Sequence, residues 1–369
     1  MKLNQLLTSS PKISKTSKAS GPIIISTRMR IARNLDNYPF PGWAKSSEKE
    51  EVYKLCINTC KIIPGLKRVY SIKINDLCDI EKKMLVERHL ISPELVKAKD
   101  AGVIITKDQS HSIMINEEDH IRIQIFRTGF DLKNIWKTAN ALDNTFEKYL
   151  DLSFSEDLGY LTACPTNIGT GMRASVMMHL PALTMTRTIE KIINSISQLG
   201  IAVRGIYGEG SEANGSIFQI SNQYTLGESE DMILKNLCNI VKSIVKHENN
   251  TRIKIIETNR ENLYDKISRA FGILKNVYLI SSAEAMNLLS LIRLAIDLDF
   301  LPEKYREILD CLFIECQPAH IQKVSCQDIS AKGRDVVRAK LIKKYFQDIV
   351  PLNFDINLSK SLKQVNLGK

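Results

Sequence analysis

The sequence predicts an α+β protein in which an antiparallel sheet is flanked by helices and is followed by an all-α C-terminal domain. Short apolar segments typical of strands stand close together as GVIIT, SIMIN and IRIQIF between residues 102 and 126. In the last segment Ile121 and Ile123 flank Arg122, so the two isoleucines share one face of a strand. In the last third of the chain the apolar residues instead recur at helical spacing, as at Leu288 and Ile292.

The other elements follow from the same two periodicities. A segment rich in Ser, Lys and Thr at 1–20 predicts a flexible N-terminus, and order is expected to begin at Ile23 with a short strand. Helical patterns are predicted over 46–63, 79–91, 130–149 and 171–199, the last broken near Pro181. Further strands are predicted over 201–207 and 216–222, joined by the loop GEGSEANG.

Two capping-box patterns mark predicted helix starts. The residues from Thr225 to Glu228 predict a helix that runs to about 246, and those from Ser281 to Glu284 predict a second one. The resulting domain boundaries are 1–20 for the flexible segment, 21–255 for the α+β domain and 256–369 for the helical domain.

Composition narrows the class of protein. A chain of 369 residues with 44% hydrophobic and 25% charged residues can bury a sizeable core. Its net charge of +10 favours anionic ligands such as nucleotides, or acidic protein surfaces. No basic helix or RNA-binding motif is present, so nucleic acid is not a predicted partner.

The cysteines and the hydropathy pattern predict a cytoplasmic protein without a metal site. None of the eight cysteines stands in a CxxC pair, so no zinc site is predicted and the thiols are expected to be reduced. No apolar run approaches the length of a transmembrane helix, and the first residues lack a secretion signal. No membrane partner is therefore predicted.

The usual phosphate-binding loops are absent. The chain has no GxxxxGK[ST] motif and no protein-kinase HRD or DFG motif. A GxGxxA match at 208–213 is followed by a predicted strand, whereas a dinucleotide fingerprint needs a helix there. This match therefore does not predict a dinucleotide site.

Single arginines in strand or loop contexts offer a different way to bind phosphate. The guanidinium fork matches phosphate oxygens bidentately, and two arginines two residues apart on a strand share a face. The alternative interpretation is that each is a salt-bridged surface residue. The arginines are Arg28, Arg30, Arg122, Arg173 and Arg204.

Two acids and one cysteine stand in loops that are suited to a cationic substrate. Glu118 lies in NEEDH between two strands, and Glu209 lies in a glycine-flanked loop. Two converging carboxylates can hold a guanidinium group and accept its proton. Cys164 begins CPTNIGTG, which leads into a helix expected at about 171, so its thiol pKa would be lowered. The alternatives are a solvated acidic loop and a buried, inert thiol.

Four longer blocks resemble the signature blocks of the guanidino kinases, which comprise the phosphagen kinases and the bacterial protein-arginine kinases. They are ISTRMRIARNL, INEEDHIRIQ, CPTNIGTGMRASVMMHLPAL and VRGIYGEGSEANGSIFQISNQ. The phosphagen kinases carry a helical domain before the first block, and here only 25 residues precede Ser26. The helical tail and the segment LVERHLISPEL are similar to the protein-arginine kinases of the McsB type, so the chain is identified as a member of that family.

One motif in the predicted helical domain also resembles that family. Arg334, Asp335, Arg338 and Ala339 occupy the fixed positions of an RDxxRA motif that binds phosphoarginine in the family. Without the resemblance, the pattern is a helix with spaced charges, in which the two arginines form an i,i+4 pair.

The resemblance implies a phosphagen-kinase-like catalytic domain over 21–255 and transfer of the ATP γ-phosphate to arginine side chains of proteins, marking them for a Clp protease. Glu118 and Glu209 would clamp the target guanidinium, one of them as general base, with Cys164 beside it. Mg²⁺ would bridge the phosphates, and His89 would lie near the adenine. The implied nucleotide-binding residues are Ser26, Thr27, Arg28, Met29, Arg30, His89, Arg122, Arg173, Ala174, Ser175, Val176, Met177, Arg204, Gly205, Ile206, Tyr207, Gly208 and Glu209.

The resemblance also implies partners. They are protein substrates with exposed arginines, a zinc-binding activator protein, a Clp ATPase and a second copy of the chain in a homodimer. Two alternatives remain open: a kinase for a small guanidino compound, and a non-catalytic protein that reads phosphoarginine.

Overall fold

The structure is a computed structural model that describes residues 6, 23–63, 66, 69–206, 214–325 and 328–355. The chain forms two compact units. The first consists mainly of 26–175 and 221–238, and the second mainly of 176–220 and 239–369. Among the described residues, no helix is both long enough and apolar enough to cross a bilayer.

Strands and helices are mixed along the described chain as far as the last strand, and the elements after it are helical. The strands are β1 Ile24–Arg33, β2 Val69–Lys73, β3 Gly102–Thr106, β4 His111–Ile115, β5 Ile121–Thr128, β6 Phe154–Ser155, β7 Gly159–Tyr160, β8 Met172–His179, β9 Ile201–Gly205 and β10 Ile217–Asn222. The helices are α1 Ser46–Ile62, α2 Asp79–Glu87, α3 Pro93–Lys97, α4 Leu132–Tyr149, α5 Pro181–Met185, α6 Ile189–Ser197, α7 Glu230–Thr258, α8 Arg260–Asn276, α9 Ser282–Asp297, α10 Arg306–Glu315, α11 Pro318–Ser325 and α12 Ala331–Phe346.

The first unit is built on a mainly antiparallel sheet with the strand order β2-β3-β4-β5-β1. The isoleucines of β5 are at most 1% exposed, and Ile123 lies opposite both Ile31 of β1 and Ile113 of β4. Because β-branched side chains pack well on a pleated surface, these pairs stabilise the register. The predicted antiparallel sheet with flanking helices is confirmed.

Helix α4 covers part of this sheet by packing on β5. It begins after Asp131, whose side chain accepts a hydrogen bond from the backbone N–H of Asn134. Ile135, Ala139 and Phe146 recur on one face of the helix and are at most 1% exposed. Burial of that apolar stripe is what stabilises the helix, because helical propensity alone is weak.

The pairing of β1 with β5 positions the predicted phosphate-binding side chains. Arg30 lies opposite Gln124, and Ala32 lies opposite Arg122. Since directly opposed residues of an antiparallel pair share a face, Arg28, Arg30 and Arg122 lie on one face of the sheet. This confirms the shared face expected for the first two arginines.

The predicted helix over 171–199 is wrong in its first part. Residues Met172–His179 form β8, and only α5 and α6 after Pro181 are helical. Gly171 adopts φ +62°, which ends the preceding loop in a conformation that L-residues rarely take. The apolar residues of β8 fit either period, and pairing within the sheet selects the strand.

Three other expectations on element bounds need correction. Strand β1 is longer than expected and runs to Arg33. Helix α7 begins at Glu230 after Ser229, whose hydroxyl accepts from Met232 N at 3.3 Å, and it extends to Thr258. Thr225 is not its cap, because the Thr225 hydroxyl donates to backbone carbonyls of another loop. The second capping position is confirmed, since the Ser281 hydroxyl accepts from Glu284 N at 3.2 Å.

The predicted flexible segment lies outside the described residues except for Leu6. The Leu6 carbonyl oxygen accepts hydrogen bonds from Arg88 at 3.2 Å and Gln109 at 3.1 Å. The boundaries at 20 and 255 stay predictions.

The second unit has a helical core with buried charges. Asp297 at the end of α9 accepts from Arg252 at 3.0 Å and from Arg306 at 2.6 Å. The His179 ring at the end of β8 contacts Ser290 Oγ at 2.8 Å and Arg293 Nη1 at 3.1 Å. Because each buried charge has an opposite partner, the desolvation cost of the group is offset locally.

Candidate active site

Four arginines of the first unit lie close enough to repel one another. Burial, followed by the charges of Arg173 and Arg122, lowers the pKa of Arg28 to about 10. Burial and the charges of Arg28, Arg173 and Arg122 lower the pKa of Arg30 well below its usual value. The Arg30 Nε atom is buried without a hydrogen-bond partner. Such an arrangement costs free energy until an anion neutralises it, so it fits a polyphosphate.

A tight turn between β4 and β5 carries the three consecutive acids. Asn116 begins the turn with φ +57°, and its N–H donates to His120 O at 3.0 Å. Arg122, the second residue of β5, lies 2.7 Å from Glu117, 3.1 Å from Glu118 and 3.9 Å from Asp119. The turn therefore joins an acidic cluster to the arginine cluster through one shared side chain.

The three acids have different environments. The Glu117 carboxylate is buried, accepts from the Ser92 hydroxyl, and has its pKa raised by burial. Asp119 is also buried and accepts from Asn34 Nδ2 and Ala163 N, both at 2.7 Å. The Glu118 side chain is 45% exposed. Of the three, Glu118 therefore has the most exposed carboxylate, and its catalytic role stays a prediction.

His120 supports this turn and is not a ligand for a substrate. Its Nδ1 accepts from Leu35 N at 3.1 Å, and its Nε2 lies 3.0 Å from Pro39 O. Burial lowers its pKa. A neutral ring with the proton on Nε2 satisfies both contacts, so His120 holds the segment after β1 against the turn.

The loop that carries Cys164 is hydrogen-bonded to the same turn. The Ala163 N–H donates to Asp119, which is adjacent to Glu118. Tyr160 and Gly169 exchange backbone hydrogen bonds at 2.9 and 3.3 Å and close the base of the loop. The half-exposed Cys164 Sγ lies 3.1 Å from Thr166 Oγ1. The buried Asp119 carboxylate thus links the segment that carries Glu118 to the segment that carries Cys164.

The helix expected after Cys164 is absent. A short 3₁₀ turn, Pro165–Asn167, follows it, and β8 begins at Met172. The thiol therefore contacts the Thr166 hydroxyl group, and the chain after the 3₁₀ turn continues as a strand and not as a helix.

His89 and the backbone of β1 border the arginine cluster. His89 has φ +58°, and its carbonyl oxygen accepts from Gln124 at 2.8 Å. Burial, with a contribution from the charge of Arg28, lowers the pKa of His89 to about 4, so the ring is neutral at pH 7. Thr27 donates to Gly129 O at 2.6 Å, and Met29 is fully buried.

The other predicted nucleotide-binding residues are divided between the two units. Ser26, Ala174 and Ser175 belong to the first unit, where Ala174 N donates to Asn222 at 2.8 Å and Arg28 Nε donates to Ser175 Oγ at 3.5 Å. Val176, Met177, Arg204, Gly205 and Ile206 belong to the second unit. Tyr207, Gly208 and the predicted catalytic Glu209 lie outside the described residues.

The RDxxRA residues lie at the start of α12, in the second unit. Arg338 is 1% exposed and donates to Cys316 O and Ile280 O, both at 2.8 Å, and to Asp335 at 2.6 Å. Ala339 is fully buried. Arg334 and Asp335 are half-buried. The second arginine thus anchors the helix, and the first two motif residues remain accessible.

Sequence reasoning missed the buried residues that support the site. Arg33 lies 2.6 Å from Asp143, and its guanidinium stacks 3.4 Å from the centre of the Tyr160 ring. The next residue, Asn34, donates a hydrogen bond from its side chain to Asp119. Arg33 and Asn34 stand shortly after the predicted phosphate-binding Arg30 in the sequence, but only the tertiary structure reveals their partners.

Comparisons with known proteins agree with this geometry. Residues 51–251 match the family model of the ATP:guanido phosphotransferase C-terminal catalytic domain. Lombricine kinase, in a crystal structure, shares the fold, with a TM-score of 0.56 and 24% identity over 67% of this chain and 72% of that one. The class that the fold and the site define is a guanidino phosphotransferase, as predicted.

Further matches identify the family within this class. Residues 260–357 match the McsB protein-arginine kinase C-terminal domain. The protein-arginine kinase of Halothermothrix orenii is 44% identical over 87% of this chain and 92% of its own length. The protein-arginine kinase of Bacillus subtilis is 43% identical over 90% of this chain and 93% of its own length. The chain belongs to the protein-arginine kinase family, which confirms the resemblance.

Proposed function

We propose that this protein transfers the γ-phosphate of ATP to arginine side chains of proteins. The observation that carries the proposal is the exposed Glu118 carboxylate, which lies 3.1 Å from Arg122 beside the buried arginine cluster. A site for an anionic donor and a site for a cationic acceptor therefore share one side chain. Phosphoryl transfer needs this juxtaposition, because positioning and charge neutralisation supply most of the catalysis.

ATP is the proposed donor, and Mg²⁺ accompanies it. Arg28, Arg30, Arg122 and Arg173 would bind the phosphate oxygens, and the neutral His89 would lie beside the base. Among the described residues, no group of three or more His, Cys, Asp or Glu is arranged to hold a metal ion. Mg²⁺ would be bound mainly through the phosphates and water, as is usual in kinase sites. When bound, Mg²⁺ supplies charge neutralisation on the transferred group.

The acceptor guanidinium would lie against Glu118, with Cys164 beside it. The carboxylate would orient one guanidinium nitrogen in line with the γ-phosphate, and Glu118 or Glu209 would accept its proton. Arg122 would hold Glu118 in position through their ion pair. Val176, Met177, Arg204 and the residues from Gly205 to Glu209 complete the proposed nucleotide and substrate site.

The Glu118→Gln variant tests the acceptor site. We expect its kcat to fall by at least a hundredfold, in the usual range for loss of a positioned base. The Kd for ATP should change little, because the phosphates bind the arginines. The assay incubates the enzyme with Mg-ATP and a casein-like protein and detects acid-labile arginine phosphate by mass spectrometry. Glu156→Gln, an exposed acid of the β6–β7 hairpin, is the control. Near-normal turnover of Glu118→Gln would refute the assignment.

The same assay separates the two alternatives. Phosphorylation of free arginine without phosphorylation of protein would indicate a small-molecule kinase. Binding of phosphoarginine without any ATP turnover would indicate a non-catalytic reader.

A role in protein quality control follows from the same proposal. Phosphoarginine marks would direct substrates to a Clp ATPase and protease in the cytoplasm, and a zinc-binding activator and a homodimer are proposed partners. Arg334, Asp335, Arg338 and Ala339 would bind phosphoarginine and regulate the enzyme. The half-buried Arg334 and Asp335 beside the anchored Arg338 support this motif as a binding site.

The Arg334→Gln and Asp335→Asn double variant tests the regulatory site. We expect its affinity for phosphoarginine to fall by about tenfold or more, because charge-assisted hydrogen bonds are lost. Basal phosphorylation of the casein-like protein should stay unchanged. Isothermal titration calorimetry with phosphoarginine measures the effect, and Lys332→Gln on the same helix turn is the control. Unchanged affinity in the double variant would place the binding site elsewhere.

A further inference from the structure

The first unit contains a cavity of about 300 Å³ at the base of the Cys164 loop. It lies between the β6–β7 hairpin and the segment that precedes α7, and Phe154, Tyr160 and Leu226 form part of its wall. The Tyr160 backbone contributes both to this wall and to the hydrogen bonds that close the Cys164 loop. The cavity is therefore attached to the site already described but is separate from the residues assigned to catalysis or to nucleotide binding.

The wall of the cavity combines negative charge with apolar surface. Among the described residues that line it, Asp157, Glu228 and Glu230 are acidic and none is basic. This contrasts with the net charge of +10 of the whole chain. A local acidic wall attracts a cationic group.

The apolar part of the wall is exposed. Phe154, Leu158 and Leu226 are 57%, 44% and 53% exposed. The rings of Phe154 and Tyr160 meet edge to face with centroids 5.2 Å apart. Aromatic faces bind cations, and apolar walls pack against the aliphatic stem of a lysine or an arginine. The wall thus fits both the charged end and the stem of a long basic side chain.

The wall is also rigid. The Tyr160 hydroxyl donates to Glu147 at 2.8 Å, and Arg33 stacks on the Tyr160 ring. Gly159 and Gly169 have φ +74° and +106°, and a Cβ on Gly169 would lie 2.8 Å from Thr225 O. Since the Tyr160 side chain and the backbone at the two glycines are held in place, these groups would lose little conformational entropy when a ligand binds.

We infer that this cavity binds a basic side chain of the substrate polypeptide, close in sequence to the arginine that is phosphorylated. The inference rests on the proposed function, which puts the target arginine beside Cys164. Cys164 is four residues from Tyr160, so it lies within roughly 14 Å of the cavity wall. An extended substrate spans that distance with about four residues, which sets the upper limit of the spacing between the two basic residues.

Peptide kinetics test this inference. Peptides with a single arginine carry lysine or glutamine at one position, from one to four residues before it or after it. We expect the wild type to prefer one lysine peptide over its glutamine counterpart by about tenfold in kcat/KM, which corresponds to roughly 1.4 kcal/mol. The difference should lie in KM, because the cavity does not contact the reacting atoms.

The Asp157→Asn and Glu228→Gln double variant should lose the preference and should phosphorylate the glutamine peptides as the wild type does. Glu156→Gln, an exposed acid on the same hairpin that does not line the cavity, is the control and should keep the preference. In the reverse-charge variant, Asp157→Lys with Glu228→Lys, a peptide with glutamate at the same position should become the better substrate.

Two outcomes would overturn the inference alone: equal kcat/KM for lysine and glutamine peptides in the wild type, or an unchanged preference in the double variant. Phosphorylation of free arginine without phosphorylation of any peptide would instead overturn the proposed function, and the docking site with it.

Discussion

At the residue scale, three adjacent acids differ because of what each one contacts. Glu117 and Asp119 are buried and accept hydrogen bonds from Ser92, Asn34 and Ala163, whereas the Glu118 side chain stays 45% exposed. The buried pair hold the turn and the Cys164 loop, and the exposed acid remains available for chemistry.

The Arg30→Met variant tests the stored repulsion in the arginine cluster. Methionine keeps most of the apolar stem and removes a buried charge whose pKa is lowered by burial and by three neighbouring arginines. We expect the free energy of unfolding without nucleotide to rise by about 1 kcal/mol, while the KM for ATP rises by at least about tenfold. Urea denaturation and steady-state kinetics measure the two effects.

The control for this variant is Arg269→Met, an exposed arginine on α8 whose side chain is 73% accessible. It should change the free energy of unfolding by no more than about 0.5 kcal/mol and should leave the KM for ATP unchanged. A loss of stability in Arg30→Met would show that the cluster is not strained without its ligand.

At the element scale, β8 carries Arg173, and its start depends on one glycine. Gly171 has φ +62°, and a Cβ there would lie 2.5 Å from Arg33 Nη1 and 2.6 Å from Ala32 O. Its carbonyl oxygen accepts from Ala32 N at 3.0 Å. Both the backbone conformation and the close approach to β1 therefore require glycine at this position.

The Gly171→Ala variant should be destabilised by about 2–4 kcal/mol, because a left-handed conformation and a steric clash both oppose the new methyl group. Thermal unfolding measures the change. Gly272→Ala is the matched comparison, since Gly272 lies inside α8 and no atom would lie within 4 Å of its Cβ. That variant should be more stable by about 0.5–1 kcal/mol. Equal effects of the two substitutions would contradict the role assigned to Gly171.

At the scale of the whole molecule, both units bury neutral histidines. Burial lowers the pKa of His89 in the first unit to about 4 and that of His179 in the second unit to about 3. His179 contacts Ser290 and Arg293 through its two ring nitrogens. Protonation of either ring would put an additional positive charge beside arginines, so the folded state resists it.

The stability of the protein should therefore fall in mild acid. Both folded pKa values lie below the ordinary value of 6.5, so the unfolded chain binds protons first. The stability that the two neutral histidines contribute is complete above about pH 6.5, and it is lost as the pH falls towards their pKa values in the folded state. We expect a loss of roughly 3 kcal/mol between pH 6.5 and pH 5 for the two histidines together. Urea denaturation at several pH values measures it.

The His179→Gln variant should show about half of this pH dependence, and His247→Gln, which replaces an exposed histidine of α7, should keep all of it. A wild-type unfolding midpoint that is the same at pH 7 and pH 5 would contradict the assignment of buried neutral histidines.

Much of the fold and part of the site are determined by the sequence itself. Alternating isoleucines fix β5, because period-2 patterns have one buried face, and the apolar stripe of α9 fixes a helix after Ser281. The motifs around Arg28, Glu118 and Cys164 identify the family because their residue types are those that bind phosphate and guanidinium. These signals are local, and they need no knowledge of which elements meet.

Only the tertiary structure decided the remainder. Residues 172–179 have an apolar pattern that fits a helix or a strand, and hydrogen bonding within the sheet selects the strand. The burial of Asp119 beside the exposed Glu118 depends on Asn34 and Ala163, which are distant in the sequence. The sequence thus determined the family, and long-range burial and hydrogen bonding decided which of its acidic side chains stay exposed.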